Sequence, residues 1–292
     1  MHISASREPL SIFIIMLQKH IIRNIVQSAI EEDVGASDIT TTAALTGEEI
    51  GKVLALAKSD VVVAGIEVFR ETFLFLDPGM KFTGYSKDGD VVDKGGCLAE
   101  ISGNLSRMLT AERVALNFLQ RMSGIATLTR RYVDEVKGTR VKILDTRKTV
   151  PGLRYLDKYA VRIGGGHNHR YGLYDGVLIK DNHIAVAGGI SQALARVRGR
   201  LPHTLKVEIE VKNLQELEEA INSGADVIML DNMSLKDIRN AVAVTDGRVP
   251  LEASGNVTIA NVREIAETGV DFISVGALTH SVVASDISLK IE

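Results

Sequence analysis

The chain has a single cysteine among its 292 residues, Cys97. That excludes an internal disulfide and a cysteine-built zinc cluster, and it fits a reducing compartment. A lone cysteine in an apolar stretch reads as a small, half-buried strand residue. Long hydrophobic runs are missing too. The longest near the start, Ile12 to Leu17, lies between Arg7 and Lys19 and is far too short to span a bilayer. It also lacks the small-residue cleavage site of a secretory signal. No charge sign dominates either. The formal net charge is −3, and no basic stripe is interleaved with aromatics, which argues against general nucleic-acid binding. The content of 45% hydrophobic and 24% charged residues is that of a globular chain with room for one barrel or two ordinary domains. A cytoplasmic protein acting on small molecules is what these exclusions leave.

What is present is concentrated. From Arg147 to Lys180 seven bases (Arg147, Lys148, Arg154, Lys158, Arg162, Arg170 and Lys180) stand against two acids, Asp157 and Asp175, a net +5. Arginine forks suit carboxylates and phosphates, and lysine supplies a point charge, so an anion is expected here. Gly164, Gly165 and Gly166 in the same stretch are either a flexible turn or a backbone cradle for that anion. His167 and His169 are two apart, arginine follows, and no matching third ligand lies near. That spacing among cations argues against a metal pair.

Residues 1–16 resemble nothing that follows and read as a disordered or surface-bound extension. From Leu17, the residues Ile21, Ile22, Ile25, Val26, Ala29 and Ile30 recur at helical spacing. Residues 51–103 form a small α+β region, with "KVLALAK", "VVVAGI", "KFTGYS" and "CLAEISG" as strands around the helix "IEVFRETFLFL". The turn "DGDVVDKGG" resembles the hairpin of lipoyl-type carriers, where Lys94 would be the modified lysine, but its composition reads first as a tight turn between strands. Ser106 can cap a long helix running to about Val136, with Met108, Ala111, Ala115, Leu119 and Met122 as its buried stripe. Arg113 falls on the opposite face, where an arginine is usually solvated.

After residue 139 apolar strands recur: "VKILDT", "GVLIKDN", "KVEIEV", "DVIMLDN", "LEASG" and "FISVGAL". Glu210, Asp231, Ala253 and Gly276 follow one another at intervals of 21, 22 and 23 residues. Helical stretches lie between them, with capping signals at Asn213/Glu216 and Ser234/Asp237. Strand–helix units of this length indicate parallel strands wrapped by helices. The expected fold is α/β: an N-terminal α+β sandwich-like domain followed by an incomplete, about six-stranded parallel α/β barrel.

In such folds function gathers at the carboxyl ends of the strands. Those ends carry Thr146, Arg147 and Lys148; Lys180; Glu210; Asp231; Ser254, Gly255 and Asn256; and Gly276, Ala277 and Leu278. His169 and Arg170 lie in the link between the first two. The cations suit carboxylates. Glu210 and Asp231 suit sugar hydroxyls or a magnesium ion carried by phosphates, or they form structural salt bridges with Lys148 or Lys180. Small residues before helices suit a phosphate. A carboxylated molecule plus a phosphorylated sugar is the implied ligand set.

The stretches "DTRKTVPGLR", "KYAVRIGGGHNHRYGLYDGVLIKDNH", "VEIEV", "IMLDN" and "EASGN" resemble quinolinate phosphoribosyltransferases, and the resemblance covers nearly the whole chain after residue 16. It implies an enzyme of NAD biosynthesis that joins quinolinate to phosphoribosyl pyrophosphate and releases pyrophosphate and carbon dioxide, giving nicotinate mononucleotide. By the same resemblance, Thr146, Arg147, His169, Arg170 and Lys180 hold quinolinate, with Arg113 arriving from a partner chain in a homodimer or higher homo-oligomer. Lys148 lies between the substrates. Glu210 and Asp231 bind the ribose and the magnesium-bound pyrophosphate side, and Ser254, Gly255, Asn256, Gly276, Ala277 and Leu278 bind the 5′-phosphate. Lys148, Lys180, Glu210 and Asp231 are its catalytic set, and Mg2+ its cofactor. Val150 and Asn256 depart from the family's usual residues without removing a charge.

The implied domains are 17–120, with the long connecting helix; 121–280, the barrel; and 281–292, returning to the N-terminal domain. Two rivals share the fold expectation. One is a molybdenum-transport-associated relative, which lacks the "HNHR" and "IKDNH" runs. The other is a non-catalytic pyridine-nucleotide binding protein, for which no added regulatory domain is seen.

Overall fold

The computed structural model describes residues 17–292, so the expectation for residues 1–16 lies outside the described residues. Helix α1 (Lys19–Val34) and the short α2 (Ile39–Ala44) lead into the antiparallel region. This comprises β1 (Ile50–Ala57), β2 (Val61–Val62), α3 (Ile66–Leu76), β3 (Lys81–Gly84), β4 (Val91–Val92) and β5 (Cys97–Asn104). Then α4 (Leu105–Glu135) runs for 31 residues. Its cap is Asn104, whose side chain accepts from Arg107 N–H at 3.0 Å, rather than Ser106. The helix follows β5 without a linker, so the strand's last residue stands in the N-cap position and Ser106 falls inside the first turn.

The barrel alternates β6 (Lys142–Leu144), α5 (Arg154–Ile163), β7 (Val177–Ile179), α6 (Asp181–Ala187), α7 (Ile190–Arg198), β8 (Val207–Val211), α8 (Leu214–Asn222), β9 (Val227–Asp231), α9 (Leu235–Thr245), β10 (Leu251–Ser254), α10 (Val262–Ala266), β11 (Phe272–Ser274) and α11 (Ala277–His280). The caps at Asn213 and Ser234 form, each side chain accepting from the N–H three residues on. Six parallel strands pair in the order β6-β11-β10-β9-β8-β7, leaving the barrel open between β6 and β7. Residues after α5 occupy that opening. His167 donates its N–H to Ile143 C=O, and Asp145 N–H returns the bond to His167 C=O, so this segment runs parallel beside β6.

Strand β12 (Ile287–Ile291) pairs antiparallel with β1 at the edge of the β12-β1-β5-β3 sheet. To arrive there the chain crosses α4 at Gly124, where an added Cβ would sit on Val283 C=O. Only glycine admits so close a backbone crossing. Gln120 fixes the crossing by accepting from Ser285 N–H and donating its amide to Ile287 C=O.

Helix α4 joins two cores. Its first half buries Met108, Ala111, Ala115 and Leu119 against β1, β5 and α3. Its second half buries Met122, Ile125, Ala126 and Tyr132 in the barrel core, which also takes Ile22, Val26 and Ile30 of α1. Each large side chain buried this way contributes about 1.5–3 kcal/mol. Cys97 opens β5 as a half-buried strand residue.

Candidate active site

The strand ends enclose a cavity of about 790 Å³. Thr146, Arg147 and Lys148 reach it from the loop after β6, His169 and Arg170 from the segment filling the barrel opening, and Lys180 from the end of β7. Glu210, Asp231, Ser254, Gly255, Asn256, Gly276 and Ala277 complete the wall from β8, β9, β10 and β11. Leu278 is not on this wall. Its side chain is fully buried in the barrel core, and its N–H donates to Val275 C=O. Arg113 is exposed on α4 and lies outside the cavity of its own chain.

The seven bases of the 147–180 window divide. Arg147, Lys148, Arg170 and Lys180 face the cavity. Arg154, Lys158 and Arg162 instead build its support: Arg154 donates to Thr149 Oγ1 and Tyr171 C=O, and Arg162 to Gly166 C=O. Lys158, fully buried, bonds Asp145 Oδ1 and His169 C=O at 2.5 and 3.1 Å. Asp145 further accepts from Asn168 Nδ2 and from His169 N–H. Burial pushes the carboxyl up and the amine down in pKa, each toward neutrality. Three donors converging on one acceptor nonetheless require an ionised Asp145, and a charged lysine beside it. A second support is the fork from Arg121 on α4 to buried Asp157 at 2.8–2.9 Å; Asp157 also accepts from Val150 N–H. About half of the positive density seen in the sequence is thus structural.

The cavity-facing cations are poorly compensated. Arg147 Nε is a buried donor without a partner. Arg170 spends Nη1 on Gly176 C=O, and its pKa is pushed down by burial and by the Arg147 guanidinium beside it. Two guanidinium groups side by side create a strong demand for an anion. Lys148 makes no ion pair among the described residues; its backbone N–H bonds Thr146 Oγ1, and its C=O accepts from Thr279. Lys180 does pair, with Glu210 at 2.8 Å, but its side chain is 48% exposed. A water-accessible pair of this kind is weak and can open to a ligand.

At the opposite end the turns after β9 and β10 interlock. Asn232 and Asn256 both take positive φ, 53° and 51°, which asparagine tolerates better than most residues. Asn256 Nδ2 donates to Asn232 Oδ1, and Asn232 Nδ2 to Asp231 Oδ1. Gly255 has φ 97°, and a Cβ there would collide with the Asn232 side chain. At Gly276 a Cβ would press on the stem of Lys148 at 3.1 Å. Both glycines bring backbone close to the cavity.

Glu208, Glu252, Ser274 and His280 were not singled out in the sequence, and three of them, Glu252, Ser274 and His280, also line the cavity. The signal for Glu208 was available, because it lies two residues before Glu210 and a strand repeats its face every two residues. His169 Nε2 lies 2.9 Å from Glu208, while its Nδ1 accepts from Arg170 N–H at 2.7 Å. His167 does not line the cavity. Burial and the Arg162 cation keep its pKa low. No helix among the described residues is long and apolar enough to cross a membrane.

Comparisons with known proteins agree over most of the chain. Residues 38–123 match the family model "Quinolinate phosphoribosyl transferase, N-terminal domain", and residues 125–290 match that of the C-terminal domain. A Bacillus subtilis protein described as "Probable nicotinate-nucleotide pyrophosphorylase [carboxylating]" is 45% identical over 260 residues, 89% of this chain and 90% of its own length. An Arabidopsis thaliana chloroplastic enzyme with that name is 45% identical over 290 residues, spanning 93% of this chain and 83% of its own. The crystal structure of NadC from Streptococcus pyogenes superposes with a TM-score of 0.91 at 42% identity, over 94% of this chain and 98% of that one. With an open six-stranded barrel, an anion-seeking cavity at its strand ends, and family matches on both sides of residue 124, the chain belongs to the quinolinate phosphoribosyltransferase family.

Proposed function

We propose that the cavity joins quinolinate to phosphoribosyl pyrophosphate, yielding nicotinate mononucleotide, pyrophosphate and carbon dioxide in NAD biosynthesis. The observation that carries this reading is the Arg147–Arg170 pair, two adjacent guanidinium groups of which one keeps a buried unpartnered donor. A pyridine dicarboxylate supplies two carboxylates to such a pair, with His169, Lys180 and Thr146 around it. Asp231 and Glu210 accept from ribose hydroxyls. Ser254, Gly255, Asn256, Gly276 and Ala277 surround the 5′-phosphate. Lys148 lies between the two ligands.

Two anions repel in water, and a preorganised cationic cavity holds them in register. The C1′–oxygen bond breaks with its electron pair leaving on pyrophosphate, and the pyridine nitrogen lone pair attacks the cationic carbon. The ring nitrogen, now positive, stabilises the electron pair left when the adjacent carboxylate departs as carbon dioxide. A proton then completes the ring. Lys148 and Lys180 stabilise the developing charges, and no covalent enzyme nucleophile is needed. Glu210 and Asp231 present hard oxygen atoms to the pyrophosphate end, which fits a magnesium ion held through its waters. Held by these two residues, such an ion would offset the negative charge of the leaving pyrophosphate. Mixing protein, both substrates and magnesium should give nicotinate mononucleotide, and chelation should stop the reaction; no product from a folded protein would refute the assignment. The lone cysteine favours a cytoplasmic setting.

We further propose a homodimer with a shared site. Arg113 makes no ion pair among the described residues and stands exposed on α4, available to a neighbouring subunit. Arg113→Ala and Lys148→Ala proteins, each inactive, are dissociated and mixed. Random pairing makes about half the dimers mixed, each with one intact site, so about a quarter of wild-type activity should return. Subunit exchange without recovery would place Arg113 in its own chain's service.

A further inference from the structure

Under the dicarboxylate end of the cavity, one atom each of His169, Glu208 and Glu252 lies within 4.8 Å of the others. Glu208 comes from β8 and Glu252 from β10, with β9 between them, and both are buried, at 9% and 1% exposure. One oxygen of each, Oε1, accepts no hydrogen bond from the protein. The imidazole brings a single proton to this group: Nδ1 is held as an acceptor by Arg170 N–H, so the ring's proton sits on Nε2, 2.9 Å from Glu208 and 3.8 Å from Glu252. Burial lowers the imidazole's pKa and the two carboxylates raise it further. A second ring proton would nonetheless have to displace the Arg170 N–H, so the neutral ring is the resting form. Two buried carboxylates with one donor between them cannot both ionise. The more buried carboxylate, farther from the imidazole, keeps a proton.

We propose that Glu252 is a positioning residue, protonated while substrate is bound, whose neutrality keeps the floor of the cavity from repelling a dianionic pyridine dicarboxylate. The proposal rests on the substrate assignment above. The groups facing Glu252 are Glu208 from β8, His169 from the segment filling the barrel opening, and the Ser274 hydroxyl from β11; β9 presents only Met229 beside it. Burial first, and then the Glu208 charge, push the Glu252 carboxyl up to about 8. Ionisation would place a second negative charge beneath the substrate carboxylates, which stay ionised above neutral pH. His169 is bonded to Glu208 and, through Nδ1, to the Arg170 N–H, so the same ionisation pulls on both.

Direct calorimetric binding of quinolinate tests this from pH 7 to pH 9. Wild-type affinity should fall about tenfold across that range, with phosphoribosyl pyrophosphate affinity changing far less. Glu252→Gln, a permanently neutral hydrogen-bonding side chain, should bind quinolinate about equally at both ends. A purely structural role would not move this profile. An unchanged tenfold fall in the variant overturns the proposal. Infrared difference spectra of the unliganded protein provide the second readout: a carboxylic-acid band at pH 7 that disappears toward pH 9 in wild type and is missing from the variant. No such band in wild type overturns the proposal even if the variant fails to fold. Failure of wild type to bind quinolinate at any pH sinks the substrate assignment instead, and the infrared titration still decides the protonation of Glu252.

Discussion

Lys158→Met should lower the free energy of unfolding by about 3–5 kcal/mol, the usual loss when one partner of a buried ion pair is removed. Lys158 never meets the cavity. It is fully buried, and its removal strands Asp145, which is also fully buried. The 167–170 segment is hung from this pair, because Asp145 accepts from His169 N–H and Asn168 Nδ2, and Lys158 donates to His169 C=O. Activity should therefore fall together with stability. Denaturant titration of Lys158→Met against the Asp145→Asn/Lys158→Met double variant separates the causes. The double variant should recover much of the loss, because no uncompensated charge remains. Equal stability of the single variant and wild type would mean that the pair is neutral or dispensable.

Lys148→Ala should do the reverse, reducing turnover by about 10²–10³-fold, as when one preorganised electrostatic group is removed from an active site, with stability changed by less than about 0.5 kcal/mol. Its side chain is exposed and makes no ion pair among the described residues, so folding asks nothing of it. Its stem lies near Gly276, and the residue lines the cavity. Steady-state rates and thermal melting on the same samples would check both halves. A variant with near-normal turnover would remove Lys148 from the chemistry.

The barrel and the rim of its cavity were legible because each rests on a local, repeating signal. Strand–helix spacing near 21–23 residues located Glu210, Asp231 and Gly276 at their strand ends, and cap chemistry located α8 and α9. Long-range partners were not legible. Seven bases in one window looked alike, yet only the fold shows that Lys158 answers Asp145 and that Arg154 and Arg162 answer backbone carbonyls. Glu252 was hidden for a related reason: a parallel strand is buried on both faces, so a single acid inside one gives no sign of whether a pocket or a partner receives it. For Glu210 a structural bridge and a substrate contact are not exclusive. Its bridge to Lys180 is present, and that lysine is half exposed and able to exchange partners. Strand β4, two residues long, lies inside what reads as a plain turn.

The reading as a whole turns on decarboxylation coupled to ribosyl transfer, and isotopic label decides it most directly. Quinolinate labelled in the carboxylate beside the ring nitrogen is incubated with the protein, phosphoribosyl pyrophosphate and magnesium. The label should appear as carbon dioxide in a one-to-one ratio with nicotinate mononucleotide, and only when phosphoribosyl pyrophosphate is present. Label placed in the other carboxylate should stay in the nucleotide. Nucleotide formed with both carboxylates retained, or carbon dioxide released without phosphoribosyl pyrophosphate, would contradict the account.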